Sequence, residues 1–270
     1  MGRQESYRQE LVPLFDEFLQ SGDAQVAGDY LAAHSNLPGP RGNLELAAAW
    51  ADALMDYPPA ARERLWALCA EMAALSAEQA PTGDPREFIA FCGALGLGAL
   101  GAAWPELAGQ ALTALHRLAD DSRWRMREGV AMALQRLLAR RSPETWAALE
   151  DWAGGAGPLP MRAAAAAVAE PPLLRSEAAA RRALELHRAI FERLAGLPAR
   201  RSEAFKALRQ GLGYTLSVVV AALPAEGFAY MQELAASGDP DVRWIVRENL
   251  KKNRLVRRYP TEVEAVRRGM

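Results

Sequence analysis

Apolar residues recur at i, i+3, i+4 and i+7 from one end of this chain to the other, in segments of about ten to twenty residues. A helix of 3.6 residues per turn gathers such positions onto one face, and that face must be buried against another element. The period-two alternation of a half-buried strand is nearly absent. No Asn-Gly or Asp-Gly pair separates alternating runs, and β-branched residues are sparse. The chain is therefore expected to be all-α. Pro and Gly punctuate the pattern, which predicts helices over 6–20, 23–34, 43–56, 59–79, 85–101, 105–119, 123–140, 143–153, 160–169, 177–195, 202–222, 225–236 and 242–257. Start signals support several of these. Ser142-Pro143-Glu144, Ser202 and Asp84-Pro85 each place a capping residue at a helix entrance, and Asn43 is the expected cap after the loop Leu37–Gly42.

A length of 270 residues allows one extended domain or two small ones, and half of them are hydrophobic. The net charge of −1 conceals an asymmetry. Residues 1–111 hold 6 basic and 15 acidic residues, while 112–270 hold 26 basic and 18 acidic. Such a molecule can turn a basic face to an anionic partner. Lysine occurs only at Lys206, Lys251 and Lys252, so arginine supplies nearly all the positive charge. The apolar runs Gly93–Trp104 and Leu212–Leu223 are too short to span a bilayer, so no membrane partner is expected. Cys69 and Cys92 lie in apolar helical stretches without CxxC or CxxH spacing, and the N-terminus is polar. These features predict buried thiols, no metal, and a cytoplasmic protein.

Two segments of the chain are alike. Asp121-Ser122-Arg123-Trp124-Arg125-Met126-Arg127-Glu128 matches Asp241-Val242-Arg243-Trp244-Ile245-Val246-Arg247-Glu248 at Asp, Arg, Trp, Arg and Glu. A second register, shifted by one helical turn, superposes Met126-Arg127…Leu134 on Val242-Arg243…Leu250. Asp241-Val242-Arg243 and Met126-Arg127-Glu128-Gly129-Val130-Ala131 resemble the opening of the second helix of a HEAT repeat. Pro160-Met161-Arg162-Ala163 resembles a weaker third copy. The chain is also similar to bacterial HEAT-repeat proteins without an assigned activity, through Leu37–Ala47 and Trp244–Leu255. This resemblance implies a right-handed α-solenoid of antiparallel helix pairs, with about 12–13 helices in a single elongated domain over 1–270. Within it, 1–101 reads as an acidic helical half without clear repeats, 102–257 as a basic HEAT-like half, and 258–270 as a frayed tail.

The candidate partner-binding residues are Arg123, Trp124, Arg125, Arg127, Arg243, Trp244, Arg247, Lys251 and Lys252. Arg123, Arg125 and Arg127, spaced by two, should fan around a helix start. Arg243, Arg247 and Lys251, spaced by four, should form a stripe. Two structural roles compete with binding: arginines of HEAT-type repeats pair with the Asp of a neighbouring turn, and tryptophans pack between repeats. Exposed in a groove, Trp124 and Trp244 would instead offer stacking surfaces.

No catalytic residues are singled out and no cofactor is expected. His34, His116 and His187 lack metal-ligand spacing, and the chain has no Gly-rich phosphate loop, GxSxG elbow or HExxH helix. Trp146 followed by Glu150 is faintly similar to the site of HEAT-like DNA alkyl-purine glycosylases, which implies DNA repair as an alternative. Lyases that share HEAT-like repeats are a third class. The leading expectation is a non-enzymatic scaffold whose C-terminal half binds an anionic protein or nucleic acid through the basic groove of its concave face.

Overall fold

The structure is a computed structural model that describes residues 2–155, 157–197 and 199–270. Among the described residues there are fifteen α-helices, two short 3-10 turns (Pro59–Ala61 and Pro171–Leu174) and no strand. The chain divides into two compact units, 1–145 and 146–270, and the division falls within α8 (Ser142–Gly154).

The first unit holds α1 (Arg3–Ser21), α2 (Gln25–Ala33), α3 (Leu44–Met55), α4 (Arg62–Ala73), α5 (Pro85–Ala103), α6 (Pro105–Leu118) and α7 (Trp124–Arg140). Its centre is α5, which packs on α2, α3, α4, α6 and α7. This helix is long and apolar enough to cross a membrane by composition alone, but it is 83% buried inside the protein, as a core helix is. Glycine permits that density. A Cβ at Gly93 would lie 2.4 Å from the backbone of Ala73, and one at Gly98 would lie 2.5 Å from the Ala133 Cβ. The order of contacts gives direction. Gly93 meets Ala73 and Gly96 meets Cys69, so α4 and α5 run antiparallel. Gly98 meets Ala133 and Gly101 meets Leu137, so α5 and α7 run parallel.

The second unit repeats this arrangement with α9 (Pro158–Val168), α10 (Glu177–Leu194), α11 (Glu203–Ala222), α12 (Pro224–Ala235) and α13 (Pro240–Asn249). Alternate helices again pack side by side: α11 lies between α9 and α13. Arg209 reaches Asp241 and Ser217 reaches Asn249, both 32 residues ahead, so α11 and α13 are parallel. Arg181–Glu226 and Arg188–Glu233, both 45 residues apart, align α10 with α12 in the same way. Alternate helices in parallel register are the signature of stacked helix hairpins, and each unit is an all-α stack of this solenoid type.

Asn249 fastens α11 to α13. Its amide donates to Leu212 O at 2.9 Å and Ile245 O at 2.8 Å, and its Oδ1 accepts from Ser217 N at 2.7 Å. Asn43 plays the capping role read from the sequence. Its Oδ1 accepts from Leu46 N, while its amide holds Tyr7 Oη and His34 O.

Several expectations are corrected. The helix expected over 59–79 stops at Ala73, because Ser76 and Gln79 exchange side-chain-to-backbone bonds and turn the chain away. The helix expected over 242–257 breaks into α13 and a single turn, α14 (Asn253–Val256). Residues 258–270 are not a frayed tail. They contain α15 (Pro260–Arg268), whose Val263 and Val266 are buried and which packs on α12. A boundary near 101/102 would cut through α5, whose last turns are held by α6 and α7.

Candidate functional site

The three arginines at the entrance of α7 do fan apart, and each direction ends in the protein. Arg123 caps nothing with its side chain but is buried. It grips the Asp121 carboxylate and donates to Leu75 O at 2.8 Å and Ala80 O at 3.0 Å, stitching α7 to the turn after α4. Arg125 is paired at 2.9 Å with Glu87, which is fully buried, and donates to Gly39 O at 2.6 Å. Arg127 donates to Asp121 O and Ser122 O, at the end of the preceding turn. Removing one member of a buried pair such as Arg125–Glu87 is costly, on the order of 3–5 kcal/mol, because the other charge stays in the core. Arg123 and Arg125 therefore act first as cross-links within the first unit.

Trp124 behaves differently. It is the first residue of α7 and is 44% exposed, with its indole lying over the Arg125 guanidinium at 4.5 Å. Trp244 is the fifth residue of α13 and half-buried, against Gly213 and under the Arg209 guanidinium at 4.3 Å. The two tryptophans are thus not equivalent. Arg123 and Asp239 are the N-caps of α7 and α13, which selects the register that aligns Met126 with Val242 and Leu134 with Leu250. All four of those side chains are buried. The more conspicuous match of tryptophans is offset from the helical frame by one turn.

An Asp–Arg ladder is present in the second unit, but its arginines come from elsewhere. Arg200 donates to Asp239 and Asp241, and Arg209 donates to Asp241, at 2.6–2.7 Å. The Arg200 hydrogen bond holds the Asp239 carboxyl below the usual carboxylate range. Arg243, half-buried, is not the ladder residue that HEAT-like spacing suggested.

The remaining basic candidates lie on α13 and in the segment that follows it. Arg247 is exposed on α13. Lys251 lies beyond the helix end and reaches Glu248. Lys252 caps α14, with its ammonium 5.8 Å from the ring of Tyr214. Arg254 lies over the same ring at 4.5 Å and donates to the Tyr214 hydroxyl. Tyr214, on α11, is 49% exposed. Sequence reading did not single out Tyr214, Arg209 or Arg254. Tyr214 lies in an apolar run that reads as core, and no local pattern marks it as outward-facing. The expected stripe of Arg243, Arg247 and Lys251 is interrupted, because α13 ends at Asn249.

Trp146 and Glu150 do come together, with an arginine between them. Arg182 bonds the Glu150 carboxylate and covers the Trp146 ring at 4.9 Å. That bond lowers the Glu150 pKa against the opposing effect of burial. Among the described residues no group of three or more His, Cys, Asp and Glu is arranged to hold a metal ion.

No protein-family model matches this chain, and no curated protein matches it. Among solved structures, an engineered protein is similar at 15% identity, with a TM-score of 0.37, over 100% of this chain and 98% of its own. Computationally designed armadillo repeat proteins for modular peptide recognition are similar at 16% identity and a TM-score of 0.37, covering 89% of this chain and 98% of theirs. A designed armadillo repeat protein in complex with the peptide (KR)4 matches at 16% identity and a TM-score of 0.36, again over 89% and 98%. Identity and TM-score are both low, and the fold rests on the helix contacts themselves.

Proposed function

We propose that this chain is a non-enzymatic binding protein, and that the surface of α11 and α13–α14 in its second unit receives an anionic macromolecular partner. The observation that carries this reading is the exposed Tyr214 ring flanked by Lys252 and Arg254, continuous through Gly213 and Trp244 with Arg209. Arg247, exposed on α13, and Lys251, paired with Glu248, are further cations in this part of the chain. The second unit as a whole carries 19 basic and 14 acidic residues. Arginine beside aromatic rings suits phosphate and carboxylate alike, and cations held over rings keep their side chains ordered before the partner arrives.

The test is fluorescence anisotropy at low salt with labelled single-stranded DNA, duplex DNA and poly-glutamate. At least one should bind, and affinity should fall steeply with added salt as counterions are released. The double variant Arg247→Glu, Lys251→Glu should weaken binding by at least about tenfold, since two like charges are reversed at the contact. The contrast between DNA and poly-glutamate decides between a nucleic-acid and an acidic-protein partner. Absence of binding to all three, or binding indifferent to the double reversal, refutes the proposal.

The DNA-glycosylase alternative has a specific obstacle. It requires Glu150 to face a sugar cation, whereas Arg182 already occupies that carboxylate and the indole face beside it. Release of alkylated bases, lost in Glu150→Gln, would establish it nonetheless.

A further inference from the structure

A cavity of about 240 Å³ opens in the first unit. Its walls are chiefly Phe88 and Phe91 of α5, Trp124 and Met132 of α7, and Leu44 at the start of α3. The two phenylalanine rings are nearly coplanar in orientation, 12° apart, with centroids 5.8 Å from each other. Trp124 and Leu44, 44% and 49% exposed, are among the largest apolar groups the protein presents to solvent, and both line this one cavity. Each is the first residue of its helix.

The Arg125 charge in the wall is already paired. Arg125 is held by the buried carboxylate of Glu87 and by Gly39 O, so its guanidinium is neutralised before any ligand enters. Arg41 and Glu128 complete the polar part of the lining. The rest of the lining is apolar, which does not suit a buried ion. The anchored guanidinium instead keeps the Trp124 indole in place at 4.5 Å, as a preformed wall. Size narrows the occupant further. An apolar cavity of about 150 Å³ admits benzene, and drug-sized pockets begin at about 300 Å³. This one lies between.

We propose that the cavity is a binding site for a small, uncharged aromatic molecule of one or two rings, taken up between the phenylalanine pair of α5 and the indole of Trp124. Its position distinguishes it from the polyanion surface, because every wall residue belongs to the first unit.

Indole is a suitable probe, with indole-3-carboxylate as its charged counterpart. Saturation-transfer NMR on the full chain should detect indole, with the carboxylate at least about tenfold weaker because it must leave water for a largely apolar wall. Trp124→Ala removes an exposed wall and should weaken indole by about tenfold or more. Met132→Trp should fill the space and abolish binding while the thermal transition is retained, which separates occlusion from unfolding. The proposal is overturned if indole does not bind at millimolar concentration, if the carboxylate binds as well as indole, or if both folded variants bind like the parent. Binding of a tryptophan-containing peptide without binding of indole also overturns it, in favour of a protein-docking pocket.

Discussion

His187 shows how much a single side chain can be decided by its neighbours. It sits inside α10, fully buried, where its Nδ1–H donates to Ala183 O at 2.8 Å and its Nε2 accepts from the Thr215 hydroxyl at 2.9 Å. Both ring nitrogens are satisfied in the neutral form, and burial pulls the pKa from 6.5 down to about 4. The sign of the consequence follows. Between those values the unfolded chain binds a proton that the folded one refuses, so stability is whole above pH 6.5 and falls as pH drops toward 4. From pH 7.5 to pH 5, His187→Gln should escape about 2 kcal/mol of the acid loss seen in the parent, at about 1.4 kcal/mol per pKa unit. Urea unfolding at the two pH values checks this, and equal acid losses in the two proteins would remove His187 from the account. That this histidine lies within a helix was legible in the sequence. Thr215 as its partner, 28 residues away, was not, because no local pattern pairs them. Arg123 and Arg125 make the same point in reverse. Their spacing foretold divergent directions, but only the packed structure supplies the carbonyls of the turn after α4 and the buried Glu87 that absorb them.

At the scale of helices, α5 is the element on which the first unit depends. Its glycines are not chosen for backbone freedom, since they lie in regular helix. At Gly93 and Gly98 the backbones of α4 and α7 come too close for a side chain, and at Gly96 and Gly101 the Cys69 sulfur and the Ala111 methyl do so. Gly98→Ala would place a methyl 2.5–2.7 Å from Ala133 atoms, backbone included, and should destabilise by about 1–3 kcal/mol through overpacking. Gly109→Ala on α6 is the matched control. There a Cβ meets nothing within 4 Å and the residue is exposed, so the variant should gain up to about 1 kcal/mol from helix propensity. Thermal unfolding of the two variants should shift in opposite directions. Shifts of the same sign would mean that the close approach does not govern α5. Helix existence was well signalled by periodicity, capping residues and first-turn prolines, as at Asn43 and Asp84. Helix ends were less so. The break after Ala73 depends on side chains that bond backbone groups, and α15 was missed because its two buried valines are few against its charges.

Across the whole chain, charge follows the division into units. Residues 1–145 hold 13 basic and 19 acidic residues, the opposite balance to 146–270. If polyanion binding belongs to the second unit, charge reversals at exposed arginines of the first should leave it alone. Arg117→Glu and Arg140→Glu together should change the affinity by less than about twofold, against about tenfold or more for Arg247→Glu with Lys251→Glu. Comparable losses in the two double variants would show that total charge, rather than the surface around Tyr214, sets the affinity.

What the amino-acid sequence determined by itself is the class of structure: apolar residues at helical spacing, cut by Pro and Gly, admit only packed helices. It also determined where most helices begin, because capping is local chemistry among residues three or four apart. Tertiary structure alone decided which cations are spent in cross-links, which aromatic rings face solvent, and which of two internal registers is the helical one. Those outcomes depend on contacts between residues 28 to 86 positions apart. Trp124 and Trp244 share a local sequence, yet one stands at a cavity mouth and the other beneath Arg209, because burial is set by what packs against a position rather than by its neighbours along the chain.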